Sequence, residues 1–352
     1  MRSEQEKIRI LSTQIKGVSK KNINIMEVCG THTMSIARHG IRSLLPENIN
    51  IISGPGCPVC VTSAGDIHLA IELSKRDDFL VATFGDMLKV PSQGETLQGR
   101  KSVAMIYSPL DAVKLAKDNP KKEVVFLGIG FETTAPLIAA TIKSAKSEGV
   151  NNFSVLSMHK TVPVALDVIL SAPGNKIQGL LLPGHVGAIT GRRYFDFLKR
   201  YQVSGIVTGF AAINMMESLY LLASHLNEER YDIVNNYTHI VSEEGNVCAQ
   251  EVLAEVFEES DAEWRGIGMI PGSGLKMRSE FEAFDAYKKF SLKTPKIAEA
   301  AGCLCGPILM GKNKPSECKH FGKTCTPATP VGPCMVSSEG TCAAYYKYGV
   351  NV

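Results

Sequence analysis

Val124-Val-Phe-Leu-Gly-Ile-Gly-Phe-Glu-Thr-Thr-Ala-Pro136, running on into Leu137-Ile-Ala-Ala-Thr-Ile-Lys-Ser-Ala-Lys-Ser-Glu148, holds the pattern that decides the fold of this chain. Val124 to Ile129 is apolar without alternation, as in a strand covered on both faces. A Gly-rich turn follows. Pro136 then suits the first turn of a helix, and the run to Glu148 has helical spacing. The same strand-then-helix texture recurs outward from this unit. Strands are expected at Ile23 to Val28, Ile49 to Ser53, Phe79 to Phe84 and Val103 to Tyr107, and again at Phe153 to Met158, Gly179 to Leu182, Gly205 to Thr208 and Tyr237 to Val241. Helices are expected at Ala64 to Lys75, Leu110 to Asp118, Pro136 to Glu148 and Thr161 to Ser171. Apolar strands alternating with helices imply an α/β fold of mainly parallel sheets flanked by helices.

The two series of strands predict two α/β domains, with a break where Gly149 and Asn151-Asn152 interrupt the pattern. The expected organisation is an N-terminal helix over 1–20, a first α/β domain over 21–150, a second over 151–270, and a Cys-rich unit over 271–352. From about Pro271 Gly, Pro, Lys and Cys dominate and strand signal fades, so this last unit needs an organiser other than an apolar core. The chain's 352 residues suffice for such a division. Its net charge of +3, with 21% charged residues, marks neither a nucleic-acid nor an anionic-membrane binder. The N-terminal segment suits an amphipathic helix without the apolar centre of a signal peptide, and no run is long enough to span a bilayer. A cytoplasmic protein is therefore expected, and in that compartment cysteines read as metal ligands or redox groups before structural disulfides.

Eight of the ten cysteines are clustered, in a CxxC or in the C-terminal tail; Cys29 and Cys248 stand apart. Cys29-Gly-Thr-His-Thr33 follows the first strand, Gly54-Pro-Gly-Cys-Pro-Val-Cys60 the second, Gly128 to Pro136 the fifth and Pro183-Gly-His-Val-Gly187 the strand at Leu180. Open parallel sheets bind ligands beyond the carboxyl ends of their strands, so all four motifs should face shared clefts. Cys57 and Cys60 precede a helix whose dipole favours thiolate; the pair suits either a dithiol–disulfide cycle or a soft metal. Cys29 and His32 sit close enough to face one ion, or for the imidazole to activate the thiol. The run Glu132-Thr133-Thr134 lacks the later Gly or Gly-Lys of nucleotide-binding loops, and its threonines equally suit helix capping. His185 lies between glycines as a further candidate.

The tail carries Cys303, Cys305, Cys318, Cys325, Cys334 and Cys342. Cys303, Cys318, Cys325 and Cys342, separated by 14, 6 and 16 residues, form a set of four thiolates suited to tetrahedral zinc or a 4Fe-4S cluster. The absence of a close CxxC knuckle, and the long Gly- and Pro-containing loops, favour the cluster.

Read together, these motifs resemble the HypD family of hydrogenase maturation proteins. The likeness rests on Cys29-Gly-Thr-His-Thr33, Gly54 to Cys60, Gly130 to Pro136, Pro183-Gly-His185 and Ser338-Glu-Gly-Thr-Cys342, and it spans nearly the full length. Met34 stands where some members carry a second His. The resemblance implies a scaffold for the Fe(CN)2CO group of nickel-iron hydrogenase, with a mononuclear iron carrying CN and CO during assembly. It implies a HypC-type chaperone as partner, HypE as the cyanide donor, and the hydrogenase large subunit precursor as recipient. It also implies that Cys29 anchors the iron with His32 beside it. Cys57 and Cys60 then serve as a redox pair or further iron ligands, and the tail holds a 4Fe-4S cluster. Two rival readings are a thiol–disulfide oxidoreductase resembling ferredoxin-thioredoxin reductase, driven through Cys57 and Cys60, and a zinc-stabilised binding protein.

Overall fold

The computed structural model describes residues 3–349, so the outermost ends of the expected terminal units lie outside the described residues. Eleven strands form three sheets among them. They are β1 (Ile23–Glu27), β2 (Ile49–Ser53), β3 (Phe79–Thr83), β4 (Val103–Met105), β5 (Glu123–Gly128), β6 (Phe153–Ser157), β7 (Gly179–Pro183), β8 (Ser204–Thr208), β9 (Ile233–Asn235), β10 (Phe257–Trp264) and β11 (Gly268–Met277). One sheet runs β2-β1-β7-β8-β9 and another β4-β3-β5-β6, and every pairing in both is parallel. The expected α/β class with helix-flanked parallel sheets is what the chain adopts.

The sheets do not follow the order of the chain. After β1 and β2 the backbone leaves to build the whole of the second sheet through β6, then returns to lay β7 beside β1 in the register Ile25↔Gly179. The segment 149–152, read from sequence as a domain break, links helix Ala135–Ser147 to β6, which lies directly beside β5. Each sheet is sided by strand alternation. In β5, Val124 and Phe126 face a core shared with helix Ala135–Ser147, whereas Val125 and Leu127 face the core between the two sheets. In β1, Ile25 faces the side covered by helices Glu4–Val18 and Ala212–Asn227, and Met26 faces the intersheet core. That central core also takes in Cys57, Cys60 and four tail cysteines, so the tail is packed into the main body.

Two local expectations are corrected. The strand read at Tyr237–Val241 is a turn; the strand lies earlier, at Ile233–Asn235, and Asn235 ends it by accepting from the Tyr237 amide and donating to the Val241 carbonyl. Of the stretch from Pro271 onward, read as having little strand signal, the part up to Met277 belongs to the antiparallel hairpin β10–β11. A bulge between Ser260 and Ala262 and the glycines Gly268, Gly272 and Gly274 disguise its alternation. No helix among the described residues is long and apolar enough to cross a membrane.

Candidate functional site

Because β2, β1, β7 and β8 are adjacent and parallel, the segments leaving their carboxyl ends meet. Cys29 follows β1 as the N-cap of helix Gly30–Arg38, Cys57 follows β2 as the N-cap of Pro58–Val61, His185 follows β7, and Phe210 follows β8. The first two loops interlock. The Gly54 amide donates to the Glu27 carbonyl at 2.8 Å and the Gly30 amide to the Gly56 carbonyl at 2.9 Å. A Cβ on Gly56 would lie 2.3 Å from the Cys29 nitrogen, so only glycine permits this approach.

Cys29 is 8% exposed and His32 fully buried. Burial pushes the Cys29 thiol up to about 12, against the lowering effect of the His32 and Thr31 amides, while the charges of Glu339 and Glu27 push it further up. A bound cation reverses that balance, since a coordinating thiol is deprotonated by its metal. His32 is held neutral: burial lowers its value to about 4 against the opposing pull of the Thr208 and Gly209 carbonyls, to which its ring lies close without reaching full hydrogen-bond geometry. His32 and His185 both pack on Phe210, with ring centroids 4.9 and 4.0 Å away. Beneath them Glu27 accepts from the Cys29 amide at 3.2 Å and from the Thr33 hydroxyl at 2.5 Å, and burial raises its carboxyl to about 7. From the tail, Glu339 accepts from the Thr31 hydroxyl at 2.6 Å and packs against Gly30. A thiol that a bound cation would deprotonate, beside a neutral imidazole and out of water, is a donor set that fits iron.

Cys57 and Cys60 are joined in a disulfide and are 3% and 0% exposed. In this state their sulfurs are not thiolates, and any metal ligation by them requires prior reduction. Short helices Cys305–Leu309 and Pro333–Val336 of the tail both pack against the helix that carries them. Arg265, in the turn between β10 and β11, stitches the junction: its amide donates to the Val61 carbonyl, its Nε to the Thr62 carbonyl, and it pairs with Glu299.

All six tail cysteines line one small cavity with Ile308, Phe321 and Met335. Cys305 and Cys334 are engaged with each other, Sγ to Sγ at 2.9 Å. Hydrogen bonding to Cys334 holds the Cys305 thiol below its usual value, with Arg265 contributing, and Cys334 is correspondingly raised well above it. Cys334 also hydrogen-bonds Cys342, so Cys342 borders the pair, while among the described residues no thiol-to-thiol bond joins Cys303, Cys318 or Cys325 to it. The Val331 amide donates to the Cys325 sulfur, and burial pushes Cys303 up to about 12. Among the described residues no three or more His, Cys, Asp or Glu side chains close on a point as a bound metal draws them. The donor chemistry, six thiols around an apolar void, nonetheless fits a cluster held by four of them.

The remaining candidates lie in the second sheet. Glu132, 3% exposed, accepts from the Val162 amide and the Tyr194 hydroxyl, each at 2.8 Å; burial raises its carboxyl. Thr134 packs on Gly130, where a Cβ would lie 1.7 Å from its hydroxyl, and Thr133 is partly exposed. No hydrogen bond or ring contact among the described residues joins these three to Cys29, His32 or the disulfide. Cys248 is exposed and isolated. Glu27, Phe210, Arg265 and Glu339 escaped the sequence reading, although Glu339 sits inside the Ser338 to Cys342 motif.

Fold and site together define an α/β protein of two parallel sheets and a hairpin, with a buried Cys–His pair, an adjacent disulfide and a six-thiol tail. The sequence matches the HypD family model, described as the hydrogenase formation hypA family, over residues 6–349. It is 41% identical over 343 residues to hydrogenase maturation factor HypD2 of Bradyrhizobium diazoefficiens, covering 94% of this chain and 90% of that one. It is 42% identical to HypD of Azotobacter vinelandii, with 94% and 90% covered, and 38% identical to HypD of Escherichia coli, with 97% and 94% covered. The chain belongs to the HypD family.

Proposed function

We propose that this hydrogenase maturation factor is the scaffold on which the Fe(CN)2CO group of nickel-iron hydrogenase is assembled. The observation that carries the reading is the buried Cys29 thiol beside the buried, neutral imidazole of His32, one loop away from a disulfide. Cys29 gives up its proton as it takes the iron, and Glu27, hydrogen-bonded to the Cys29 amide, keeps that loop in place. His32, held neutral, offers a nitrogen to the iron or to one of its diatomic ligands. The apolar wall formed by Phe210 excludes water from the group.

Cys57 and Cys60 supply a two-electron store. Reduction follows from attack of a Cys305 thiolate on one sulfur of that disulfide, release of the other as thiolate, and resolution by Cys334. The products are a Cys57/Cys60 dithiol and a Cys305–Cys334 disulfide, with electrons conserved. Cys303, Cys318, Cys325 and Cys342 would hold a 4Fe-4S cluster, which when bound supplies one-electron reducing equivalents. A HypC-type chaperone, HypE as cyanide donor and the hydrogenase large subunit precursor complete the scheme as partners.

The test is anaerobic isolation of the full chain, co-produced with the chaperone and HypE. Infrared bands of bound CN and CO together with an iron-sulfur chromophore are expected. Absence of the bands while the protein reduces a disulfide substrate, unaffected by Cys29→Ala, would establish the thiol oxidoreductase reading instead; the contact of Cys305 with Cys334 near the disulfide is what favours that second reading.

A further inference from the structure

A further cavity, of about 360 Å³ and lined by charged as well as apolar side chains, opens where β6 ends against the hairpin β10–β11. It shares no lining residue with the Cys29 group or the tail thiols. Lys160, three residues beyond β6, lines it and is 2% exposed, held by backbone bonds to Gly130 and Gly274. Its ammonium makes no hydrogen bond or ion pair among the described residues, although the charges of Asp66 and Glu263 act on it from across the cavity. His159 beside it bonds Ser157 through Nδ1, while its Nε2 is buried without a partner. On the facing wall Asp66, 7% exposed, is fixed by the Tyr287 and Thr294 hydroxyls, which donate to its Oδ1 at 3.1 and 3.0 Å.

A buried ammonium without a partner is costly unless something pairs with it. A simple anion would answer Lys160 but would then face the carboxylates of Asp66 and Glu263, and a simple cation would meet Lys160. A molecule with one pole of each sign satisfies both walls. We propose that this cavity is a binding site for a small zwitterion of the α-amino-acid class, its carboxylate on Lys160 and its ammonium between Asp66 and Glu263. Burial lowers the affinity of Lys160 for its proton, and an incoming carboxylate restores it.

Isothermal titration of the full-length protein with the common L-α-amino acids, and with propionate and ethylamine as single-pole probes, tests this directly. At least one amino acid should bind, with propionate and ethylamine each about tenfold weaker or worse. Lys160→Met and Asp66→Asn, checked for folding by circular dichroism, should each weaken the amino acid by a similar factor. Failure of every amino acid to bind, or equal binding of propionate, overturns the assignment on the wild-type protein alone. So does unchanged affinity in both folded variants. None of these outcomes bears on iron assembly, which uses other residues.

Discussion

Replacing Gly56 by alanine puts a methyl group where the structure has only the backbone of Cys29. The added Cβ would lie 2.3, 2.5 and 2.6 Å from the Cys29 nitrogen, Cα and carbonyl carbon, where ordinary contact begins at 3.4 Å. The loops must part by about 1 Å, because no side chain can rotate away. Hydrogen bonds at Gly54 to Glu27 and at Gly30 to Gly56 resist that movement, and the second would stretch beyond bonding length. Overpacking of this kind costs about 1–3 kcal/mol and the lost hydrogen bond about 1 kcal/mol, so Gly56→Ala should lower stability by about 2–4 kcal/mol. A displacement of about 1 Å at a reacting group also costs about a hundredfold in rate, so maturation should fall by more than stability alone explains. Urea unfolding and hydrogenase activity restored in a strain lacking the factor read the two effects. Gly17→Ala is the control: a Cβ there meets nothing within 4 Å, and alanine inside helix Glu4–Val18 should be neutral or stabilising by about 0.5–1 kcal/mol. Wild-type stability and maturation in Gly56→Ala would refute the interlocking of the Cys29 and Cys57 loops.

Serine substitutions should divide the tail thiols into two groups. Losing Cys303, Cys318, Cys325 or Cys342 should empty the protein of iron and sulfide on anaerobic isolation, whereas Cys305→Ser and Cys334→Ser should retain both and lose only reduction of Cys57–Cys60, read by alkylation and mass spectrometry. The Glu27 carboxyl, raised by burial from 4.5 to about 7, holds a proton in the folded chain that the unfolded chain has released. Its contribution is fully present below the unfolded value and disappears as pH rises through about 7. Wild type should therefore lose up to about 3 kcal/mol relative to Glu27→Gln between about pH 5 and pH 8; a flat difference in urea midpoints contradicts this. His32, whose lowered value makes acidification destabilising, is present in both chains and cancels. Tyr194→Phe removes one of the two donors to buried Glu132 and should cost about 1–3 kcal/mol in thermal or urea unfolding, without altering the iron content.

Strand positions and the α/β class were legible because apolar runs such as Val124 to Ile129 are local signals. What lay hidden was pairing. Nothing near Ile25 in sequence announces that Gly179 is its neighbour, since a parallel crossover has a minimum of about a dozen residues but no upper limit, and the buried faces of such strands look alike. For the same reason the motifs following β1, β2 and β7 could be assigned to strand ends, while Phe210, which both histidines touch, could not be found. The hairpin β10–β11 was obscured because its bulge and glycines break the two-residue period. In the tail, spacing favoured Cys303, Cys318, Cys325 and Cys342 but gave no use for Cys305 and Cys334. Their mutual contact is a tertiary fact, arising from two short helices packed on the same partner.

The most direct test of the account is the Mössbauer spectrum of the chaperone-bound protein, produced with enriched iron, compared between wild type and Cys29→Ala. In Cys29→Ala the cluster signal should persist at wild-type intensity while the low-spin Fe(II) signal of cyanide-bearing iron disappears. Survival of that low-spin signal without the Cys29 thiol would show that the iron group is held elsewhere.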